Sequence, residues 1–403
     1  MKKILIISPH FHPEDFKCND VAFELARRGY DVTALSDIPN YPAGKFYDGY
    51  GFFRRRRETV NGVRIIRTGV IPRGDGSGKR LALNYLSFAF TACIRAVFMG
   101  LFRRYDVVLV HETSPITVGL PALIIKALQK RTKLLFWVLD LWPESLQAAG
   151  NINNRRILSF FAGMARLIYR KSDKILISSR SFRTSILEKG DFEDKLVYFP
   201  NWAEDVFASA EKKPIPQLPE GFKVMFAGNI GQAQDFENVM KAALLLKDEK
   251  DEKDVKFVIV GDGRKKAWVD SFIKENGLEE TVHMMGRFPL DTMPSFFEKA
   301  DAMFLSLKDD FIFSLTAPAK LQTYMASGKP IIAMIGGETR SLIQESGCGY
   351  SCASGDSQAL AEAILRMKNL SEEERHAMGR SGFDYFDRNF RKDRCMDHLE
   401  ELL

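Results

Sequence analysis

The sequence predicts an α/β protein of two doubly wound units, and three observations carry that prediction. Its 403 residues exceed one typical domain, short apolar runs alternate with helix-like segments, and the alternation starts again after Asn201. With 45% apolar and 27% charged residues the chain has enough material for two cores, which excludes collagen, coiled-coil and disordered classes.

In the first half the runs Lys3–Ser8, Val32–Leu35, Val63–Arg67, Val107–Val110, Leu134–Val138 and Ile175–Ser178 read as parallel strands. Nearly every position in them is apolar, as in sheets covered by helices on both faces. The first run is too short for a leader, since four apolar residues (Ile4 to Ile7) precede Pro9 and an h-region needs roughly 7–15. Helix patterns fall at Asn19–Arg28, Pro115–Lys130 and Asn153–Lys171. In the second half the strands are Phe222–Ala227, Val255–Val260, Val282–Met285, Ala302–Leu305 and Pro330–Met334. The stretch from Ala208 to Gly221, with Pro214, Pro216 and Pro219, reads as a linker, so the expected domains are 1–205 and 206–387. Ser371 followed by Glu372, Glu373 and Glu374 places a cap and three acids where a helix dipole favours them. Doubly wound sheets bind ligands at the carboxyl ends of their strands, so the expected site is a cleft between the two units.

Charge divides the chain unevenly. Residues 1–203 carry 32 Lys and Arg against 18 Asp and Glu, whereas the remainder carry 26 against 34. The halves therefore face different partners. The basic excess gathers at Arg54-Arg55-Arg56-Arg57 and continues through Arg64, Arg67, Arg73, Lys79 and Arg80. Beside it lies the long apolar stretch Leu81 to Phe102, which contains Phe88, Phe90 and Phe98 and is closed by Arg103 and Arg104. Asn84 and Arg95 interrupt it, which argues against a spanning helix. Two readings stand: a core helix, or a helix lying on an anionic membrane surface. Nucleic acid is not expected as the anion, because no aromatic residues interleave the basic run. Five scattered cysteines with no C-x-x-C pair give neither a disulfide frame nor a zinc site, and suit a reducing compartment.

The chemistry is narrowed by what is missing. After the first strand the chain reads Ser8-Pro9-His10-Phe11-His12-Pro13-Glu14-Asp15, without the glycines of a dinucleotide fingerprint, and no P-loop follows anywhere. Dehydrogenase and P-loop kinase readings fail. In the second half Ala227-Gly228-Asn229-Ile230-Gly231 and Val260-Gly261-Asp262-Gly263 end successive strands, and such turns bring backbone amides close to a ligand. Thr316-Ala317-Pro318-Ala319-Lys320 then opens a helix that stops at Gly328. A lysine in a first turn is unfavourable for the helix itself. A bound diphosphate reverses that sign, which marks Lys320 as a donor-phosphate residue.

Ala326-Ser327-Gly328-Lys329-Pro330-Ile331-Ile332, the Gly228 to Asp235 segment, Val260-Gly261-Asp262-Gly263, Met285-Gly286-Arg287 and Leu360-Ala361-Glu362-Ala363-Ile364 resemble family 4 glycosyltransferases along the whole chain. Asn40-Tyr41-Pro42-Ala43-Gly44-Lys45, Asp140-Leu141-Trp142-Pro143-Glu144-Ser145 and Pro200-Asn201-Trp202 are similar to the bacterial fucosamine-transferase subgroup of surface polysaccharide assembly. The resemblance implies a GT-B fold whose last helix, about 388–403, packs back on the first domain. It also implies a nucleotide-sugar donor in the second domain, an acceptor in the first, and a retaining, metal-independent reaction with no cofactor. The implied function is transfer of an N-acetylated aminosugar from a UDP-sugar to a polyprenyl-diphosphate-linked saccharide in capsule or O-antigen assembly. The implied location is cytoplasmic, on the inner face of the cytoplasmic membrane. A UDP-sugar 2-epimerase and a non-catalytic nucleotide-sugar-binding protein are the alternatives.

The family's two glutamates would fall on Leu315 and Thr323, and its Arg and Lys on Asn229 and Gln234, so four usual donor contacts are absent. The expected donor site is Gly228, Asn229, Gly231, Gln234, Asp262, Gly263, Arg287 and Phe288 near the base, and Thr316, Ala317, Pro318, Lys320 and Thr323. Its diphosphate is expected on the amides of Gly231 and of Thr316 to Ala319. Asp140 and Glu144 are expected to orient the acceptor hydroxyl, with Lys320 stabilising the leaving group. His10, His12, Tyr41, Lys45 and His111 are the expected acceptor contacts.

Overall fold

The apolar run at the start forms β1 (Lys3–Ile7), whose last four residues are wholly buried. The computed structural model describes residues 1–148, 152–208, 212–248 and 252–403. After β1 come α1 (Lys17–Arg27), β2 (Asp31–Ser36), β3 (Arg57–Val60), β4 (Val63–Arg67), α2 (Gly78–Phe102) and β5 (Val107–Glu112). Then follow α3 (Leu120–Leu128), β6 (Lys133–Val138), α4 (Glu144–Ala148), α5 (Arg155–Lys171), β7 (Lys174–Ile177), α6 (Phe182–Glu188) and β8 (Leu196–Tyr198). These strands make one sheet in the order β3-β4-β2-β1-β5-β6-β7-β8, parallel except for β3.

The second half repeats the pattern with β9 (Phe222–Ala227), α7 (Phe236–Asp248), β10 (Val255–Val260), α8 (Lys266–Glu275), β11 (Val282–Gly286), α9 (Met293–Lys299) and β12 (Ala302–Ser306). It continues through α10 (Phe311–Leu315), α11 (Ala319–Ala326), β13 (Ile331–Met334), α12 (Gly337–Ser346), β14 (Gly349–Cys352), α13 (Ser357–Lys368), α14 (Glu372–Asn389) and α15 (Lys392–Glu401). Its sheet runs β11-β10-β9-β12-β13-β14, all parallel. Strand order switches direction between β1 and β5 in one sheet and between β9 and β12 in the other. Loops leaving such switch points are where doubly wound sheets take ligands.

The two units are Met1–Phe199 with Met396–Leu403, and Pro200–Cys395. The division thus falls before the expected 205/206 boundary, because Pro200 onward packs with the second unit: Phe207 stacks on Phe297 at 5.3 Å. The Ala208 to Gly221 stretch does not link the units. Residues 209–211 lie outside the described residues, but Lys212 pairs with Glu298, and Lys213 donates to Ser295 Oγ (2.8 Å) and Asp291 (2.5 Å), all in the second unit. The chain's end belongs to the first unit from Met396, later than residue 388. Arg28 grips Asp397 and Glu400 at 2.6 and 2.7 Å, and Tyr30 donates to Glu400 at 2.8 Å. Ser371 caps α14 as expected, and the Glu374 side chain returns the bond by accepting from the Ser371 amide.

Helix α2 answers both readings of the apolar stretch. Asn84, Phe88, Ala92, Ala96 and Met99 are buried, and Asn84 Nδ2 donates to the Ile71 carbonyl at 2.7 Å, so one stripe is core. Leu83, Leu86, Phe90, Ile94, Val97 and Leu101, with Phe98 and Phe102, form a second apolar stripe that is exposed. Among the described residues it is the one helix long and apolar enough to cross a membrane. Its buried stripe ties it into the domain instead.

Candidate functional site

In the second unit, the end of β9 and the start of α11 build a cationic corner. Pro318 precedes α11 without a side-chain cap, so the amides of Ala319 and Lys320 have no acceptor among the described residues. Lys320 folds over β9 with its Nζ 3.9 Å from the centre of the Phe226 ring. A Cβ on Gly228, whose φ is +139°, would lie 2.7 Å from that Nζ. Gly261 presses on Gly228 in turn, since a Cβ there would sit 1.9 Å from the Gly228 carbonyl oxygen. No carboxylate pairs with Lys320 among the described residues. Burial without a counter-charge pushes its ammonium down to about 7.

The glycine turns contribute less than the sequence suggested. The Gly231 amide donates to Gln234 Oε1 at 3.1 Å, Gly263 to Asp262 Oδ1 at 2.7 Å, and Thr316 to the Phe313 carbonyl at 3.2 Å. These amides are turned inward, so the expected diphosphate cradle narrows to the start of α11, with Ala317 buried just before it. Asn229 and Asp262 stand in solvent, as does Arg287, while Phe288 turns onto Phe296 with ring centres 4.9 Å apart. Arg287 and Phe288 therefore do not form a base-binding pair. Thr323, one turn beyond Lys320, gives its hydroxyl to Glu204 Oε2 (3.2 Å) and to the Ala319 carbonyl (3.1 Å). Sequence reasoning missed Glu204, whose only signal was the neighbouring Pro200-Asn201-Trp202 motif.

In the first unit the carboxyl ends of β1, β5 and β6 gather acids and aromatics. Asp140 follows β6, accepts from Ser145 Oγ, and is held above its usual range by burial. Its backbone amide reaches Glu112 Oε2 at 3.4 Å. Glu112 is wholly buried with Asp140 beside it, and burial, with the Asp140 charge adding to it, drives its carboxyl well above the usual range. Glu144 is not an acceptor contact. Lys189 Nζ pairs with it at 2.5 Å and Ser185 Oγ donates to it at 2.7 Å, which commits its Oε1 to α6.

His111 lies within β5, buried under Trp137 with ring centres 5.0 Å apart and Nδ1 3.1 Å from Ser8 Oγ. Burial, helped by His10, lowers it to about 3. It is a neutral core group and does not face an acceptor. His12 packs on Phe23, and its carbonyl accepts from Arg67 at 2.6 Å. His10 is also buried: Nδ1 meets Glu14 Oε2 at 2.9 Å, and the ring stacks on Phe16 at 4.7 Å. Glu14 Oε1 takes the amides of Asn40 and Tyr41 at 2.6 and 2.7 Å. With Asp37, these donors lie within 4.8 Å of one another, close enough for a cation. Both Glu14 oxygens are already bonded, and burial and the Glu14 charge push the Asp37 carboxyl well up, so the cluster is better read as a polar knot.

Tyr41 is exposed beside this knot, Lys45 lies in solvent, and a residue the sequence left unassigned joins them. The Arg73 guanidinium sits 5.1 Å from the Tyr41 ring and 5.7 Å from the Tyr85 ring, and donates to the Tyr85 hydroxyl at 3.1 Å. Asp140 and Arg73 are both close enough to Tyr85 to act on its hydroxyl, which burial pushes up. The open face near Asp140 is thus formed by Tyr41, Arg73 and Tyr85.

Comparison with known proteins supplies the family. Residues 18–202 match the glycosyl transferase 4-like domain and residues 209–384 match glycosyl transferases group 1. The probable glycosyltransferase WbjE of Pseudomonas aeruginosa is 33% identical over 281 residues, covering 65% of this chain and 66% of that protein. The putative colanic acid biosynthesis glycosyl transferase WcaI of Escherichia coli is 25% identical over 346 residues, 81% of each chain. Among solved structures, sucrose-phosphate synthase from Thermosynechococcus elongatus superposes with a TM-score of 0.73 at 14% identity, over 100% of this chain and 98% of that one. Anabaena HepE, solved with UDP and glucose, gives 0.66 at 14% identity, over 100% and 99%.

Proposed function

Since the chain is built from these two matched domains and is a GT-B glycosyltransferase, we propose that it moves a sugar from a UDP-sugar to a polyprenyl-diphosphate-linked saccharide during surface polysaccharide assembly. One observation carries the donor half: Lys320 lies enclosed on Phe226 and Gly228 at an uncapped helix start, with no carboxylate partner among the described residues. A helix start of that kind takes a diphosphate. HepE, of the same fold, is solved with UDP and with UDP-glucose, which supports a uridine donor. WcaI, whose name carries colanic acid biosynthesis, supports polysaccharide assembly, WbjE supports glycosyl transfer, and both leave the sugar open; an N-acetylated aminosugar is the reading from the motifs.

The reaction needs no protein nucleophile. The acceptor oxygen bonds to the anomeric carbon on the face that the diphosphate leaves, the C–O bond to the β-phosphate breaks with its electron pair going to the phosphate, and that phosphate takes the acceptor proton. This gives retention. Lys320 and the Ala319 and Lys320 amides hold the charge that develops on the leaving group. Asp140 orients the acceptor, beside a Glu112 whose carboxyl burial and the Asp140 charge push well up. Glu204, held by the Thr323 hydroxyl one turn from Lys320, offers a carboxylate that would read the ribose hydroxyls. Arg73, between two tyrosines, receives the acceptor's phosphate. No residue in this scheme requires a metal. The exposed stripe of α2 and the basic excess of the first half support a working position on the cytoplasmic face of an anionic membrane, where a polyprenyl acceptor would be met.

The test is a thermal-shift and mass-spectrometric screen of the purified protein against UDP, GDP and UDP-N-acetyl sugars, with and without an undecaprenyl-diphosphate-sugar analogue. Stabilisation by UDP with acceptor-dependent consumption of one UDP-sugar is expected. Consumption without any acceptor would reveal an epimerase, and preference for GDP would overturn the donor.

A further inference from the structure

The edge of the first sheet meets the second half of α2 in a groove of about 670 Å³, lined by Arg57, Arg64, Arg95, Arg103, Phe98 and Phe102 among others. Its charges are unbalanced. Arg64 is paired with Asp31, and Glu58, the acid on the groove wall, is bound to Arg67 at 2.6 Å. Arg57, Arg95 and Arg103 have no carboxylate partner among the described residues. They crowd one another: burial lowers Arg95, and Arg57 and Arg103 lower it further. Arg56, on the same hairpin, is lowered by burial and by Arg95. The Nε of Arg95 is buried without an acceptor. Arg103 reaches a neutral group, Thr33 Oγ1, at 3.4 Å.

Arg57 and Arg103 reach into solvent, whereas Arg95 is half-buried; a fold that held Arg95 only for packing would place an acid beside it. Here an unpaired donor is turned inward beside apolar walls. Phe98 and Phe102, two of those walls, also belong to the exposed apolar stripe of α2, so the groove opens beside a surface that water does not favour. An anion with attached alkyl chains satisfies both features. Arginine binds phosphate oxygens through two parallel donors, and the stripe accepts the chains.

We propose that this groove is a binding site for the phosphate headgroup of an anionic phospholipid, which anchors α2 against the bilayer. The site rests on the membrane reading of α2 and goes beyond it. Diffuse attraction would place the helix on any anionic surface, whereas the groove takes one headgroup with defined geometry. It also lies near the Phe102 end of α2, while Asn84 and Tyr85, at the other end, reach Asn40 and Arg73 of the acceptor face. One helix then carries the headgroup site at one end and part of the acceptor face at the other.

Sedimentation with vesicles of phosphatidylglycerol and phosphatidylcholine at 3:1, compared with pure phosphatidylcholine, tests this on the full chain. The informative variant is Arg57→Lys with Arg95→Lys, which keeps both charges and removes the paired donors. It is expected to bind the anionic vesicles roughly tenfold more weakly, from the loss of charge-assisted bonds. Arg57→Gln with Arg95→Gln should lose more, and neither change should lower the melting temperature, because the Lys pair keeps the charge balance and the Gln pair thins like charges. Unchanged vesicle binding by the Lys pair overturns the headgroup site and leaves only diffuse attraction. Absence of wild-type binding to either vesicle overturns the membrane reading itself. Tight calorimetric binding of soluble glycerol phosphate with no vesicle preference would assign the groove to a soluble phosphate and also overturn the proposal. A drop in melting temperature for both pairs would mean that the arginines are structural.

Discussion

Two lysines are drawn in from solvent, one in each unit, and their surroundings differ. Lys189 meets Glu144 at 2.5 Å, Ser185 Oγ at 2.8 Å and the Ser185 carbonyl at 3.1 Å, so its three donors are engaged within its own fold. Lys320 meets an aromatic face and a glycine turn and is left without a counter-charge among the described residues. A paired cation that is withdrawn from water fixes structure, whereas an unpaired one is a cost to the fold that only a ligand offsets. The comparison separates a structural lysine from a functional one by what surrounds each.

The largest expected effects test that contrast directly. Lys320→Ala should cut turnover by roughly 100- to 1,000-fold, the loss of one preorganised electrostatic contact. The melting temperature should hold or rise, because an uncompensated cation is removed. Lys189→Met should do the reverse: half-buried Glu144 loses its counter-charge and keeps only the Ser185 hydroxyl, so the melting temperature should fall while activity per folded molecule persists. Thermal melts and steady-state kinetics on both variants decide. If Lys320→Ala unfolds the protein while turnover per folded molecule is unchanged, the contrast is wrong.

Next in size is Asp140→Asn, expected to lower turnover by roughly 10- to 100-fold with donor affinity retained, as for a group that orients the acceptor. Asp140 bonds to Ser145 Oγ in the first turn of α4, so a purely capping role is the competing account. Capping predicts lost stability with normal kinetics. A smaller effect is expected at Glu204. Glu204→Gln should weaken UDP binding roughly tenfold and leave 2′,3′-dideoxy-UDP unaffected, because one charge-assisted bond to ribose is lost. Equal weakening of both nucleotides, measured by calorimetry, would remove Glu204 from the ribose.

Much of this was legible in the sequence, and the failures have a common cause. The strands read from apolar runs all form, because a strand buried on both faces needs such a run. β3, β8 and β14, which the sequence did not reveal, are edge strands: one is Arg57-Glu58-Thr59-Val60, one has three residues, and one begins with glycine. Edges are covered on fewer sides and leave a weaker pattern. In the site, Lys320 was legible because a basic residue opposed the helix dipole. Glu144, His111 and the Gly231 amide were misread because their partners, Lys189, Ser8 and Gln234, are fixed by tertiary structure or side-chain conformation. Arg73 was visible as charge, but its place between Tyr41 and Tyr85 depends on the chain path from β4 into α2.

The pH dependence of donor binding sharpens the contrast most. Lys320 sits near 7 in the empty protein, against 10.5 for an exposed lysine. Between those values the unfolded chain holds a proton that the folded, empty protein has released. The burial penalty is therefore fully present below pH 7, and stability from this group grows as pH rises from 7 toward 10.5. Donor binding carries the opposite sign. A diphosphate favours the ammonium, so above pH 7 binding must take up a proton, and affinity should fall by up to about tenfold per pH unit. Calorimetry of UDP binding between pH 7 and 9, in two buffers of different ionisation enthalpy, should show proton uptake climbing toward one. Lys320→Met should bind more weakly and take up none. Lys189, with Glu144 beside it, gives no such signal on donor binding, so a pH-independent affinity in the wild type would make the two lysines alike and remove Lys320 from the diphosphate.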